Sequence, residues 1–447
     1  MRLTTIMTIL ALATLVVVAC SATSDRSDQP DPANNPASAP ADSGAGLAGV
    51  WQGRLEVMGQ SLNATLRFVS SPDGFQGTID IPQQMAFDLA LAAISLSEQT
   101  VSFTLPVSPP LQATGNLTGN QLNGRFSQGP YSGTFSLTRQ SAADASATVV
   151  VPEPVGEAVS LELAGGVLHG SLLRPDQPAT MGVLLIAGSG PTDRDGNSML
   201  LPGRNDSLRQ LAEALAANGF LVLRADKRGI GRSVWPGLRE EDLTVDQYAA
   251  DAAAWAAWLR QQEGIRHIGL AGHSEGALVA MLASQLGQVD ALALLAPLSM
   301  GFLDTVLQQL SGAEPRLLDA VRRITAELQS GRNVADVPAE LQSLFRPSVQ
   351  PYLISLARHE PARLLGSLPV PVFIVAGGRD LQIRLDDVRA LAAARPDATF
   401  RELADMNHVL KAVGPDQADN RAAYSSPDYR LADGLVAGLV DFFRALR

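Results

Sequence analysis

Gly272-His273-Ser274-Glu275-Gly276 constrains this chain more than any other stretch, because of where it falls. An apolar run, His267 to Ala271, leads into it, and a helix-forming run, Ala277 to Leu286, leads out. A serine at a sharp strand-to-helix turn holds its hydroxyl outward on a strained backbone, and small residues two before and two after let neighbouring chain pass. With 39 glycines among 447 residues the string alone is weak evidence, and its surroundings carry the argument. An ordinary serine capping the next helix is the bland alternative.

A nucleophilic serine needs a base to take its proton and an acid to hold that base, and on this scaffold they follow in the order Ser, Asp, His. Of five histidines only His359 and His408 lie downstream of Ser274. His359 falls in a charged segment, Arg358-His359-Glu360-Pro361, that reads as a loop, so His408 is the expected base. Val370 to Ala376 is a continuous apolar run fit for a strand buried on both faces, and it ends in Gly377-Gly378-Arg379-Asp380. An acid just past a strand's carboxyl end is where an open α/β sheet gathers its chemistry, which selects Asp380. Asp386 and Asp387, in the helix expected next, stay open as alternatives.

From about residue 150 to 447 the chain resembles the α/β-hydrolases of the serine-esterase and serine-aminopeptidase type. Beyond the elbow, Val183 to Pro191 is similar to that family's strand and oxyanion loop, with Ala187-Gly188 where many members have His-Gly. Asp226-Lys227-Arg228-Gly229-Ile230-Gly231-Arg232-Ser233 resembles its D-x-R-G-x-G-x-S turn, and Asn407-His408 its closing Asn-His pair. The resemblance implies a mostly parallel sheet flanked by helices, with a helical lid at about 299–369, between the sixth and seventh strands. It also implies an oxyanion hole made by the backbone N–H of Glu275, directly after the nucleophile, and one from the Gly188 to Gly190 turn, where Ser189 is chosen. The Glu275 side chain reads as incidental, since a carboxylate in a helix's first turn suits the macrodipole whatever the chemistry. Asp193-Arg194-Asp195, Asp226 and Arg228 read as loop-bracing ion pairs, and Trp255 and Trp258 as core anchors.

The elements around these motifs alternate as a parallel sheet requires. Glu157 to Leu163 and Val167 to Leu173 form an opening hairpin, and a helix follows with Leu208, Leu211, Ala212 and Leu215 on one face, stopped by Asn218-Gly219. Phe220 to Ala225, Val245 to Leu259 and Ala291 to Ala296 continue the succession.

The first 153 residues are different. Met1-Arg2 is a short basic opening, Ile6 to Ala19 is apolar, and Val17-Val18-Ala19-Cys20 resembles a bacterial lipoprotein cleavage box. Fourteen residues are too few for a bilayer that needs about 20, so residues 1–19 read as a signal peptide and Cys20, the only cysteine, as a lipid acceptor. Residues 20–46 lack large apolar side chains and are expected to be a disordered tether. Between 47 and 140 the period becomes two: Trp51, Leu55 and Val57 alternate with Gln52, Arg54 and Glu56, and Phe75 to Ile81, Val101 to Leu105 and Tyr131 to Leu137 do likewise. About seven or eight antiparallel strands of a small all-β barrel or sandwich are expected, serving as a spacer or docking module. Residues 141–153 read as a linker, and 154–447 as the hydrolase domain.

A net charge of −11 argues against nucleic acid as a partner. No cluster of His, Cys and carboxylate has metal-ligand spacing, so neither metal nor organic cofactor is expected. The sequence therefore points to a lipid-anchored cell-envelope serine hydrolase acting on small carboxylic esters, with Ser274, Asp380 and His408 as the catalytic set. An aminopeptidase on the same fold and a non-catalytic envelope binding lipoprotein are the alternatives.

Overall fold

A computed structural model of the chain describes residues 46–446, apart from 58–59, 72–73, 82–85, 107–109, 129–130, 141–154, 199–200, 202, 234 and 236–237. The proposed signal peptide, Cys20, nearly all of the tether and the 141–153 linker lie outside the described residues. The rest forms two compact units, separated at 153/154.

The first unit is one nine-stranded antiparallel sheet: β1 (Gly49–Val57), β2 (Gln60–Ser71), β3 (Gly74–Ile81), β4 (Ala86–Ala90), β5 (Ala92–Ser97), β6 (Thr100–Leu105), β7 (Leu111–Thr118), β8 (Gln121–Gln128) and β9 (Tyr131–Arg139). The strand order is β4-β3-β2-β1-β9-β8-β7-β6-β5. Its end strands β4 and β5 are joined by Leu91 alone, and β5 comes back beside β3, where a Cβ on Gly77 would lie 3.2 Å from the Ile94 side chain, which nearly closes a barrel. Nine strands replace the seven or eight expected. Two of them, β4 and β5, are only five and six residues long, and β5 turns only Ile94 and Leu96 partly inward.

Alternation is complete in β7, whose residues switch between buried and exposed along its length, as one inward face requires. Aromatic rings fill the inside. A Cβ added to Gly115 or Gly124 would lie 2.7 or 2.5 Å from the Phe135 ring, and one on Gly133 would lie 2.5 Å from Phe126, so these glycines are seats for the rings. Trp51, Phe68 and Phe103 occupy the same core, and the buried Trp51 indole donates to the Leu47 carbonyl at 2.9 Å.

The second unit is an eight-stranded sheet: β10 (Glu157–Leu163), β11 (Gly166–Leu173), β12 (Met181–Ile186), β13 (Leu221–Ala225), β14 (His267–His273), β15 (Ala291–Leu295), β16 (Val372–Gly377) and β17 (Thr399–Leu403). The order is β10-β11-β13-β12-β14-β15-β16-β17. Only β11 runs antiparallel to its neighbours β10 and β13; every later pairing is parallel. β12, β15 and β16 are buried along their whole length, which is why they read as unbroken apolar runs.

Helices cover both faces. On one, α1 (Ser207–Ala217) and α11 (Leu435–Arg444) pack Leu208, Leu211, Leu439 and Phe443 against Val183, Val222 and Phe373. On the other, α2 (Val245–Arg260) and α3 (Glu275–Leu286) bury Trp255, Leu259, Val279 and Leu282 against Leu184, Leu223 and Leu270. The rings of Trp255 and Trp258 meet edge to face, 5.5 Å apart. Five helices, α4 (Phe302–Gln309), α5 (Pro315–Gln329), α6 (Gln342–Phe345), α7 (Gln350–Ala357) and α8 (Pro361–Ser367), lie between β15 and β16. After β16 come α9 (Leu385–Ala393) and, beyond β17, α10 (Gln417–Ala422). Among the described residues no helix is long and apolar enough to cross a membrane.

Candidate active site

β14 delivers Ser274 to the turn before α3. The residue has φ 54° and ψ −120°, a region a side chain adopts only when the surroundings force it. The flanking glycines explain how. A Cβ on Gly272 would fall 2.1 Å from the Gly276 carbonyl oxygen, and one on Gly276 would fall 2.5 Å from that of Ile186. The turn closes backbone on backbone, and the Ser274 N–H donates to the Leu295 carbonyl at 2.9 Å on the neighbouring strand.

The expected acid and base stand on two packed loops. Asp380 follows β16, and His408 follows β17. The Arg379 N–H donates to the Met406 carbonyl at 2.9 Å, and a Cβ on Gly377 would sit 2.3 Å from that same oxygen, so the loops touch main chain to main chain. Asn407, wholly buried, holds the second loop in a tight turn: its side-chain oxygen accepts from the Lys411 N–H at 2.9 Å.

The structure brings together Ser274, His408 and Asp380. His408 Nε2 lies 3.1 Å from Ser274 Oγ, and His408 Nδ1 lies 2.8 Å from Asp380 Oδ2. A carboxylate only accepts, so Nδ1 carries the hydrogen and a neutral ring leaves Nε2 free to accept from the serine. The other Asp380 oxygen accepts from the Gln382 and Ile383 N–H groups, at 2.7 and 2.9 Å, which fixes the carboxylate's direction. All three side chains are buried or nearly so. The alternatives lie elsewhere: His359 pairs with Asp246 at 3.1 Å, Asp386 with Arg389 at 2.8 Å, and Asp387 faces Arg384.

The loop after β12 passes directly beside the serine. A Cβ on Gly188 would stand 3.3 Å from Ser274 Cβ. Neither the Ser189 N–H nor that of Glu275 donates to a protein acceptor among the described residues, leaving two backbone donors open next to the hydroxyl.

The segment Asp193 to Asn197 is tied into the fold by buried ion pairs. Arg194 donates to Asp226, which also accepts from the Arg194 and Arg232 N–H groups at 3.0 Å each, and Arg224 pairs with Asp195. Burial pushes the Asp193 carboxyl up to about 6 and the Arg224 guanidinium down to about 10. Arg228 pairs with Asp251 at 2.6 Å and lies over the Trp235 ring at 3.8 Å.

Three groups were missed in the sequence. His273 donates from its ring to the His408 main chain. Tyr352, on α7, donates to Glu275 Oε1 at 2.7 Å. Lys227 reaches the loop at Gly188. The Glu275 side chain is 2% exposed, and burial holds its carboxyl above the usual range. Lys227 and Tyr352 act on main chain and on a distant carboxylate, and neither contact leaves a spacing to recognise.

Residues 195–341 match the family described as serine aminopeptidase, S33. That match covers about a third of the chain, and the strand order and the elbow of the second unit are similar to those of the α/β-hydrolase fold. Among curated proteins the chain is similar to esterase EstD of Thermotoga maritima, 25% identical over 232 residues, covering 51% of this chain and 54% of that one. It thus spans about half the length of that relative. Among solved structures it resembles Est1E from Butyrivibrio proteoclasticus, solved with ferulic acid bound, at 18% identity and a TM-score of 0.41, over 65% of this chain and 96% of that one. The Pyrococcus furiosus esterase Pf2001 is similar at 18% identity and a TM-score of 0.41, over 65% and 93%.

Proposed function

We propose that this protein is a serine hydrolase cleaving small carboxylic esters through an acyl-enzyme. The observation that carries the reading is the line from Asp380 through His408 to Ser274, beside two unengaged backbone donors. Ser274 Oγ attacks the ester carbonyl carbon as its proton passes to His408 Nε2, and the carbonyl oxygen becomes an oxyanion facing the Ser189 and Glu275 N–H groups. The bond to the alcohol oxygen then breaks as His408 returns the proton to it. Water attacks the acyl carbon as His408 takes its proton, and the bond from that carbon to Ser274 Oγ then breaks as His408 gives the proton to Oγ, releasing the acid and restoring both side chains. Asp380 keeps the hydrogen on Nδ1 and offsets the charge of the imidazolium.

The similarity to an esterase favours esters. An aminopeptidase needs a free carboxylate or polar pocket for the substrate's ammonium. Of the Glu275 carboxylate, Oε1 accepts from Tyr352 while Oε2 is buried without a hydrogen-bond partner among the described residues, so a preference for aminoacyl substrates is the second reading to test. Helices α4 to α8 stand where the family carries a lid, and we assign them the shaping of the acyl and alcohol pockets. At the other end, the cleavage box at Val17 to Cys20 supports export and lipid anchoring at Cys20 on the outer side of a cell membrane, with the barrel as spacer.

Turnover of p-nitrophenyl esters of increasing acyl length, beside aminoacyl p-nitroanilides, tests the reading. Esters should be hydrolysed and Ser274→Ala should abolish the activity with the fold intact. Preference for aminoacyl amides would move the assignment to a peptidase, and no reaction with a fluorophosphonate probe would favour a binding protein.

A further inference from the structure

The loop beside Ser274 has an asymmetry that the catalytic reading does not explain. The carbonyls of Gly188, Ser189 and Gly190 are all engaged: Lys227 Nζ donates to the first at 2.6 Å and to the third at 2.8 Å, and Thr192 Oγ1 donates to the second at 2.8 Å. The N–H groups of Ser189 and Gly190 donate to no protein acceptor among the described residues. Three successive acceptors are engaged by side chains while the donors between them are left open.

We infer that Lys227 is a positioning residue for the oxyanion hole, aiming the Ser189 N–H through its bond to the Gly188 carbonyl. This rests on the serine-hydrolase reading of the site. The geometry follows from the peptide group itself. In a trans peptide the C=O of one residue and the N–H of the next point in opposite directions. An ammonium fixed to the Gly188 oxygen therefore turns the Ser189 N–H away from Lys227. The same bond, being charge-assisted, polarises the amide and strengthens that N–H as a donor. Its second bond, to Gly190, closes the turn, whose φ of 70° only glycine adopts freely.

The lysine is held by what surrounds it. Its ammonium end is enclosed, with the face of the Tyr248 ring 5.6 Å from Nζ; burial lowers its pKa below the usual lysine range, and the Glu275 carboxylate opposes that as an opposite charge. Glu275 supplies the other proposed oxyanion donor from its main chain, and its side chain is held by Tyr352 on α7. One buried set, Tyr352, Glu275 and Lys227, thus touches both halves of the hole and ties it to the helices between β15 and β16.

The test compares Lys227→Met, which keeps length and loses charge and donors, with Lys227→Gln, which keeps an amide donor. For each, kcat and KM on a p-nitrophenyl ester and the Ki of a boronic acid, a mimic of the tetrahedral state, are measured on the full chain. Lys227→Met should lower kcat about 10- to 100-fold with KM within about twofold, and raise Ki in step with the loss in kcat/KM; Lys227→Gln should fall between it and wild type. If wild type hydrolyses esters and either folded variant matches it in kcat and Ki, the assignment to Lys227 is wrong while the reading of the site stands. A loss seen only in KM or only in thermal stability also overturns it, by marking a structural role. Wild type inactive on every ester would instead count against the site's reading.

Discussion

His273, the residue before the proposed nucleophile Ser274, lies with its ring Nε2 2.7 Å from the backbone carbonyl oxygen of His408, the proposed base. A carbonyl only accepts, so Nε2 carries the hydrogen and the neutral ring leaves Nδ1 bare. The two rings stand 5.0 Å apart. The residue that shapes the elbow therefore also pins the main chain of the loop that faces it.

Replacing His273 by Ala should loosen that loop without removing a proton carrier. We expect kcat to fall about tenfold with the pH dependence of kcat unchanged, measured on a p-nitrophenyl ester between pH 5 and 9. A shifted pH profile would mean that His273 itself titrates during turnover.

Burial, followed by the charge of His408, pushes the His273 ring down to about 3. The unfolded chain binds this proton near pH 6.5 and the folded chain does not. The stability tied to His273 is present above pH 6.5 and lost as pH falls toward about 3, by about 1.4 kcal/mol per pH unit. Asp193 works in the opposite sense: raised to about 6, it keeps its proton where the unfolded chain has lost it, so its share falls as pH rises from about 4 to 6. Urea midpoints for wild type and His273→Gln at pH 4 to 7 separate the two. The variant should lose less stability on acidification than wild type, and equal slopes would show that His273 is not the proton site.

Asp380→Asn should leave the fold in place and lower kcat about 10³- to 10⁴-fold, because an amide can offer its N–H to His408 and turn the wrong ring nitrogen toward Ser274. Steady-state rates with circular dichroism as the folding control check it.

Asp226 accepts three hydrogen bonds from Arg194 and Arg232 inside the fold. Asp226→Ala should cost about 3 to 5 kcal/mol, since it strands a buried guanidinium, while Arg194→Met combined with Asp226→Leu should recover part of that loss. Chemical denaturation of the single and double variants measures the difference.

The parallel sheet was legible because its strands are buried on both faces: Val183 to Ile186 and Val372 to Ala376 are apolar without a break. The candidate site was legible because each of its side chains stands at a strand's end, where a backbone turn leaves a mark in glycines, as at Gly272, Gly276 and Gly377. What was not legible leaves no such mark. The strands at 86–97 are only five and six residues long, so the count of the first sheet was low. Lys227 bonds to carbonyls that every residue carries, and Tyr352 meets Glu275 from 77 residues away, inside helices whose periodicity records only their own packing.

The central claim is a covalent one, and the mass of the protein during turnover addresses it. Full-length chain quenched in acid early in its reaction with p-nitrophenyl acetate should carry one acetyl group, mapped by peptide sequencing to Ser274 and absent from His408→Ala. An acetyl group on another residue with turnover intact, or undiminished turnover in Ser274→Ala, would contradict it.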